Sequence, residues 1–467
     1  MSTTLAEKFA KFATGLKFEA LPQEVIHEAK RVVIDSLGCA MGAWNEEPCV
    51  IGRRIASDLS AKRGATLWGT RHVAPSDWAA FVNGAMVRYF DFNDTYLSKE
   101  PAHPSDNIPG CYAAAEAAGA DGRELICAIV IAYEIQCRLA DAASIRARGW
   151  DHVTYGCFSV AAGASRVMGL DFARTRHAIG IGGVASAALR QSRVGELSHW
   201  KGVAFANASR HGVYAATLAR EGMTGPAPIF EGEKGFEKLV SGPLKLAGPF
   251  AGDDVTFPRE ADGYMIRKSC IKYYPAEYHA QSAVNATLDI RKKLGLSKDI
   301  ESQIKSIVVQ SHDASVDIIG SEPEKWRPQN RETADHSLPY MVAAALVDGE
   351  ITSRQFEPER FTEKKLLSVV DKVKVERNAE LSAMYPEAVG NIVTVTLNDG
   401  RSETVRLDYP KGHAKNRLSD EELLAKYHSL ADGTLGADRA KKVVDWVWKL
   451  DAQKDLRSLM PLLEVTR

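Results

Sequence analysis

From Pro22 to about residue 222 the chain is a succession of helical segments in which alanine and glycine recur on almost every face. Side chains that small let helix axes approach closely, so the stretch constrains the fold to tightly packed helices. Pro22 opens the first long segment, where Val25, Ala29, Val32, Val33, Leu37 and Ala40 repeat at helical spacing. Helical patterns follow over 76–89, 112–118, 124–139, 153–168, 173–189 and 202–220, and Leu5, Phe9, Phe12 and Leu16 share a face ahead of them. The glycines of 180–185 match a dinucleotide fingerprint superficially. The helical pattern of 172–179 stands where that fingerprint requires a strand, which argues against a nucleotide site.

The pattern changes near residue 265. Ile271 and Tyr273 alternate with Lys272 and Tyr274, which predicts a strand, and Pro275 then predicts a helix start. On that helix Ala280, Val284, Thr287 and Leu288 share one face, read as the inward one. Residues 304–310 read as a buried strand and Val373 with Val375 marks another. Two further alternating runs, 392–397 and 404–407, flank Asn398-Asp-Gly-Arg401, a hairpin signal. Ser419 and Glu422 form a capping box before helical spacing returns through Val443, Val444, Val447 and Leu450. A chain of 467 residues is too long for one ordinary core. The expected architecture is mainly α: a large all-helical domain over 1–265, with 416–467 packing back on it, and a smaller α+β domain, an α/β two-layer insertion, over 266–415.

A net charge of −1 gives no reason to expect nucleic acid or an anionic membrane as partner. Glu7 and Glu19 precede the first arginine, Arg31, and no apolar leader core is present, so neither a secretory nor an Arg-rich transit segment is read and a cytoplasmic protein is expected. The most apolar short stretch, 127–133, is too short to span a bilayer. Cysteines 39, 49, 111, 127, 137, 157 and 270 include no CxxC pair and no close trio, and the chain lacks HExxH, GxSxG and P-loop patterns, so neither a metal nor an iron–sulfur cofactor is expected.

Several residues could carry acid–base chemistry. Asp91 and Asp94 follow a helix C-terminus, where the dipole disfavours negative charge, and His103 lies in a Pro-flanked turn before the next helix. Asp94 and Asp106 read equally as caps and His103 as a turn histidine. Asp151 is a plausible N-cap that places His152 in a first turn, where the dipole favours neutral imidazole. Lys201, beside His199 and ahead of Arg210 and His211, suits a carboxylate at a helix start, or a solvated charged face. Lys268 and Lys272 fall where the pattern changes; Lys272 is either a ligand cation or a solvated strand residue. Glu277, His279 and Gln281 follow, and His336 and Tyr340 read as caps and packing.

Taken together, Ile34-Asp-Ser-Leu-Gly-Cys39, Asp91-Phe-Asn-Asp-Thr95 with His103-Pro-Ser-Asp-Asn107, Asp151-His152, Lys201 with Asn207 to Gly212, Lys272 through His279, and His336 to Met341 resemble the MmgE/PrpD family of 2-methylcitrate dehydratases and cis-aconitate decarboxylases. The resemblance implies a helical domain from both chain ends with an inserted α+β domain, a homodimer, and chemistry on tricarboxylates without metal or cluster. It places active-site positions on Asp91, Thr95, His103, His152, Lys201 and Lys272. Glu277 stands where the decarboxylases carry histidine, and the segment 275–281 resembles the dehydratase version. The segment 190–199 departs from that of the best-known methylcitrate dehydratases.

Dehydration of a β-hydroxy tricarboxylate removes a weakly acidic proton and protonates a departing hydroxyl, which calls for fixed cations. The expected assignment gives Lys201 and Lys272 the substrate carboxylates, with Thr95, Glu277 and Tyr340 lining the substrate. Asp91 with His103 abstracts the proton and His152 protonates the hydroxyl. Decarboxylation of cis-aconitate, isomerisation or epimerisation of an anionic dicarboxylic acid, and binding without turnover are the alternatives.

Overall fold

The computed structural model describes residues 3–195 and 197–466. The chain forms two compact units. The first comprises the chain up to Tyr89, then Asn93–Ser269 and the segment from Ser419 onward; the second comprises Phe90–Phe92 and Cys270–Leu418.

In the first unit a capping box between Thr4 and Glu7 starts α1 (Leu5–Gly15), which buries Leu5, Phe9 and Phe12. Then come α2 (Gln23–Gly42), α3 (Glu47–Ser57), α4 (Ser76–Arg88), α5 (Ile108–Ala118), α6 (Gly122–Ala142), α7 (Thr154–Val167), α8 (Phe172–Ala185) and α9 (Trp200–Arg220). The small residues do what their distribution implies. A Cβ on Gly84 of α4 would come within 3.1 Å of Ala206 on α9, and one on Gly156 of α7 within 2.5 Å of the Phe205 ring. At such spacings α9 packs closely against both α4 and α7. Helices Asp420–Leu435, whose Ser419–Glu422 capping box is formed, and Ala437–Val447 return to this unit, where Lys426 pairs with buried Asp35 at 2.6 Å.

Two expectations change here. The helical unit also carries a short antiparallel pair, β1 (Ala65–Thr66) with β2 (Val73–Ala74). The helix expected over 173–189 stops at Ala185. Beyond it the chain lies along residues 149–154: the Asp151 N–H donates to the Ala188 carbonyl (2.8 Å), the Arg190 N–H to Gly149 (3.0 Å), and the Ala188 N–H to Thr154 Oγ1 (3.0 Å).

The second unit is built on a four-stranded sheet ordered β4 (Val373–Arg377), β3 (Ile304–Ser311), β5 (Asn391–Leu397), β6 (Ser402–Leu407). Only β3 and β4 run parallel. The Asn398–Arg401 turn closes the β5–β6 hairpin, with the Leu397 N–H donating to the Arg401 carbonyl (2.8 Å). Although central, β3 is not fully buried on both sides: Ile307 and Val309 are buried in the core while the alternate residues Ser306, Val308 and Gln310 are only partly buried. Helix α10 (Gln281–Lys293) covers the β5–β6 side, burying Val284 and Thr287 with Leu288 partly buried.

The strand expected at Ile271–Tyr274 does not form, and no helix starts at Pro275. The Gln281 side chain supplies what strand neighbours would: its Oε1 accepts the Tyr274 N–H (3.1 Å) and its Nε2 donates to the Tyr274 (2.9 Å) and Ala276 (3.0 Å) carbonyls. On the other side of this irregular segment Gly412, at φ 88°, passes so close to the Ile271 carbonyl that a Cβ would sit 1.9 Å from its oxygen.

Candidate active site

In the first unit α4 ends on Arg88, a buried cation in a last turn where the dipole favours it. Its Nη2 donates to His103 Nε2 (3.0 Å) and its Nε lies 3.6 Å from Asp106 Oδ2. The His103 Nδ1–H donates to the Asp94 carbonyl (2.8 Å), so both ring nitrogens of His103 have a fixed role. Asp94 and Asp106 are not helix caps. Asp94 accepts from the Ser105 N–H and the Tyr133 hydroxyl, both at 2.8 Å, and Asp106 accepts from Asn93 at 2.7 Å. Burial pushes the Asp94 carboxyl up to about 6, against the bonds from Ser105 and Tyr133. Burial likewise pushes Asp106 up to about 7, against the pull of Arg88. Thr95 is buried with its hydroxyl on the Ala102 carbonyl (3.2 Å).

Beside these, His152 lies ahead of the first turn of α7, and Asp151 does not take the N-cap position, which falls to Val153. The Asp151 carboxylate is engaged elsewhere. It accepts from His152 Nδ1 (2.9 Å), Ser192 Oγ (2.9 Å) and Arg193 Nε (2.9 and 2.8 Å to its two oxygens). Burial opposes its ionisation, but Arg193, then His152, hold it well below the usual carboxylate range. An ionised Asp151 can only accept, so Nδ1 carries the His152 proton and Nε2 carries the lone pair. That Nε2 is buried and has no hydrogen-bond partner among the described residues. Burial, then Arg193, lower the ring to about 4 despite Asp151. His152 is therefore neutral at ordinary pH, with a bare acceptor nitrogen. This suits a proton acceptor, the reverse of the donor role expected from the sequence. The His103 and His152 ring centroids are 5.9 Å apart.

Lys201 is buried in the first turn of α9. Arg210 and His211, expected near that helix start, sit in the middle of α9 instead, with Arg210 bonded to Asp77 (3.1 Å). Lys268 is exposed. Glu196, in the segment that departs from the best-known dehydratases, lies outside the described residues.

In the second unit Lys272 is buried rather than solvated. Its Nζ donates to Asp91 Oδ1 (2.7 Å) and to the Asp91 carbonyl (2.6 Å). Asp91 holds a left-handed backbone at φ 50°, strain that a non-glycine residue carries at about 1–2 kcal/mol. Its other oxygen lies 3.4 Å from His336 Nε2, and His336 Nδ1 donates to Asp335. Within this unit Asp91 is held by Lys272 and approached by His336. Glu277 accepts from the His279 ring (2.6 Å) and backbone (2.7 Å); burial raises its carboxyl, yet His279, then His336 and Lys272, bring it down to about 2. Tyr340 belongs to the hydrophobic core, its hydroxyl donating to the Gln355 carbonyl, so it is not brought together with these groups.

Sequence reasoning missed three contributors to these clusters: Arg88, Arg193 and His336 beside Asp91. The His336 signal was present, since Asp335-His336 repeats the Asp-His pattern of Asp151-His152. Arg88 and Arg193 left no local trace. Among the described residues no group of three potential ligands is arranged to hold a metal, and all seven cysteines are buried. No described helix is long and apolar enough to cross a membrane.

The helical unit and the α+β unit each carry a buried carboxylate–imidazole–cation cluster. The profile of the MmgE/PrpD N-terminal domain matches residues 7–247 and that of the MmgE/PrpD C-terminal domain matches 274–450, so the chain belongs to the MmgE/PrpD family. It is similar to 2-methylcitrate dehydratase of Cupriavidus necator, 29% identical over 421 residues covering 85% of this chain and 84% of that protein. The corresponding mitochondrial enzyme of Yarrowia lipolytica is 28% identical over 441 residues, 89% of this chain and 82% of its own. Cis-aconitate decarboxylase of Homo sapiens is 27% identical over 489 residues, 99% of this chain and 95% of its own.

Proposed function

We propose that this protein is a cofactor-independent dehydratase of a 2-methylcitrate- or citrate-like tricarboxylate, forming the cis-aconitate-type unsaturated acid by acid–base elimination. The observation that carries the reading is His152, a neutral, oriented imidazole whose buried Nε2 awaits a proton. His152 takes the proton α to a carboxylate; the electron pair forms the double bond as the hydroxyl departs as water. The proton for that hydroxyl comes from the Asp91–His336 pair, and Lys201 and Lys272 neutralise substrate carboxylates. Thr95 and Glu277 line the substrate, and His103, fixed by Arg88 and Asp94, completes the acid–base set. A homodimer in the cytoplasm is the proposed setting.

Decarboxylation of cis-aconitate is the second reading, favoured by the 99% coverage of this chain in the match to the human decarboxylase. An ionised Glu277 in place of histidine weighs against it. The test is a panel of 2-methylcitrate, citrate and cis-aconitate, following ultraviolet absorbance of the unsaturated acid and carbon dioxide release in parallel. Dehydration that His152→Gln abolishes is expected. Carbon dioxide release from cis-aconitate, with no unsaturated acid formed from citrate or 2-methylcitrate, would establish the second reading, and no turnover of any of the three would refute both.

A further inference from the structure

The segment 188–193, which the helix α8 fails to reach, is fastened along residues 149–154 by three backbone-directed hydrogen bonds and ends with Arg193 on both oxygens of Asp151. An aspartate behind an imidazole ordinarily raises the basicity of the ring, because it favours the imidazolium. Here the carboxylate has already been matched by a guanidinium. Asp151 keeps its hydrogen bond to Nδ1, which orients the ring, while the cation beside it opposes a second positive charge on His152. We infer that Arg193 is a positioning residue that keeps His152 in its proton-accepting form when a polyanionic substrate is present.

That function follows from the chemistry of the proposed substrate class, so the inference rests on the reading of His152 as base. A carboxylate brought near an imidazole raises its pKa by about 1–3 units. A tricarboxylate would therefore protonate an ordinary histidine on binding and disable it. Among the described residues the charged and titratable groups around His152 are Asp151 on its own segment, Arg193 on the fastened segment with Arg190 near both, Arg88 at the end of α4, and His103 with its ring centroid at 5.9 Å. Asp106 lies beyond Arg88, and burial pushes its carboxyl up to about 7, which keeps it from acting as a full negative charge below that pH. Of these only Asp151 favours the imidazolium, and Arg193 is bonded to it directly. Arg88, already engaged with His103 and near Asp106, adds to the same bias. The starting point near 4 leaves room for the rise that substrate binding brings.

The test needs no turnover. Protein labelled at histidine with carbon-13 is titrated by NMR, the His152 resonance being the one that vanishes in His152→Gln. In the wild-type protein His152 is expected to remain neutral from pH 8 down to pH 5. In Arg193→Gln its midpoint should rise by about 1–2 units, since the opposing charge is lost and Asp151 becomes a full counter-ion. Arg193→Lys, which keeps the charge, should restore most of the wild-type behaviour, and Ser192→Ala, which removes a neutral bond to Asp151, should not move the midpoint. The acid limb of the kcat profile should shift upward with Arg193→Gln by the same amount. A wild-type midpoint near 6.5 overturns the inference without any variant, as does an unchanged midpoint in folded Arg193→Gln. Absence of turnover on every tricarboxylate, with the His152 titration as expected, would remove the proposed function and leave the assignment of Arg193 standing.

Discussion

Asp91→Asn tests the buried pair on which the second unit's cluster is built. The side chains of Lys272 and Asp91 are 1% and 2% exposed and 2.7 Å apart. Removing one partner of such a pair costs about 3–5 kcal/mol, chiefly because the remaining charge stays buried. Two features place this case at the lower end. Asparagine keeps an oxygen where Oδ1 was and the Asp91 carbonyl still accepts from Nζ, while the Glu277 carboxylate already feels Lys272. Backbone strain does not enter, since asparagine tolerates φ near 50° as readily as aspartate. The expected loss is about 3 kcal/mol, measured by urea unfolding. A reading from the helix dipole alone expects the opposite, a neutral or slightly stabilising change. Lys272→Met should cost about as much, and the double variant should recover to within about 1 kcal/mol of wild type, because no buried charge is then stranded. Single-turnover rate on the true substrate should fall by about 10²–10⁴ in Asp91→Asn, the share of acid–base catalysis. Stability of Asp91→Asn within about 0.5 kcal/mol of wild type would refute the energetic argument. A wild-type turnover rate would refute the catalytic one.

Three other outcomes follow from separate parts of the molecule. Asp106, pushed up to about 7 by burial, contributes stability that is fully present below its unfolded pKa and lost as pH rises through 7; lowering pH from 8 to 6 should therefore stabilise the protein by about 1 kcal/mol through this group. Asp106→Asn should flatten that slope in urea midpoints, and an identical slope in both proteins would show the carboxyl is not protonated there. Gly412→Ala should cost more than about 2 kcal/mol and displace Ile271, and with it Lys272, because neither φ 88° nor the 1.9 Å approach admits a side chain; a variant that melts with wild type would contradict the close passage. Ser419→Ala, which removes the acceptor of the Glu422 N–H (3.1 Å), should cost about 1 kcal/mol in thermal or urea unfolding, and no loss would mean that the cap is frayed in solution.

What the sequence made legible was whatever is decided locally. Helical spacing from Val25 to Ala40, the Ser419–Glu422 box and the Asn398–Arg401 turn each involve residues within a few positions of one another, and each forms. The rest is decided mostly at a distance. Alternation alone leaves Lys272 open between a ligand cation and a solvated strand residue, and Asp91, 181 positions earlier, decides it by supplying a counter-charge that lets the ammonium be buried. The same alternation suggested a strand that the Gln281 amide pre-empts. Asp151 looked like an N-cap because its spacing to the helix is nearly right, but the helix begins two residues later than that, with Val153 at the N-cap, and the carboxylate is bonded by His152, Ser192 and Arg193. In the candidate site the residue types were visible and the pairings were not: Arg193 on Asp151 and His336 beside Asp91 join residues far apart in the chain.

The tripeptide Phe90–Phe92, counted with the second unit although the chain around it belongs to the first, bears on how the molecule is made. At about 5–20 residues per second of synthesis, Asp91 emerges roughly ten to forty seconds before the lysine it must meet. The first unit waits longer still, because its closing helices come after the whole of the second. Neither unit can be completed by the ribosome in isolation. A fragment cut at Cys270 and Leu418 would carry the sheet but lack Asp91, whose carboxylate accepts from Lys272 at 2.7 Å.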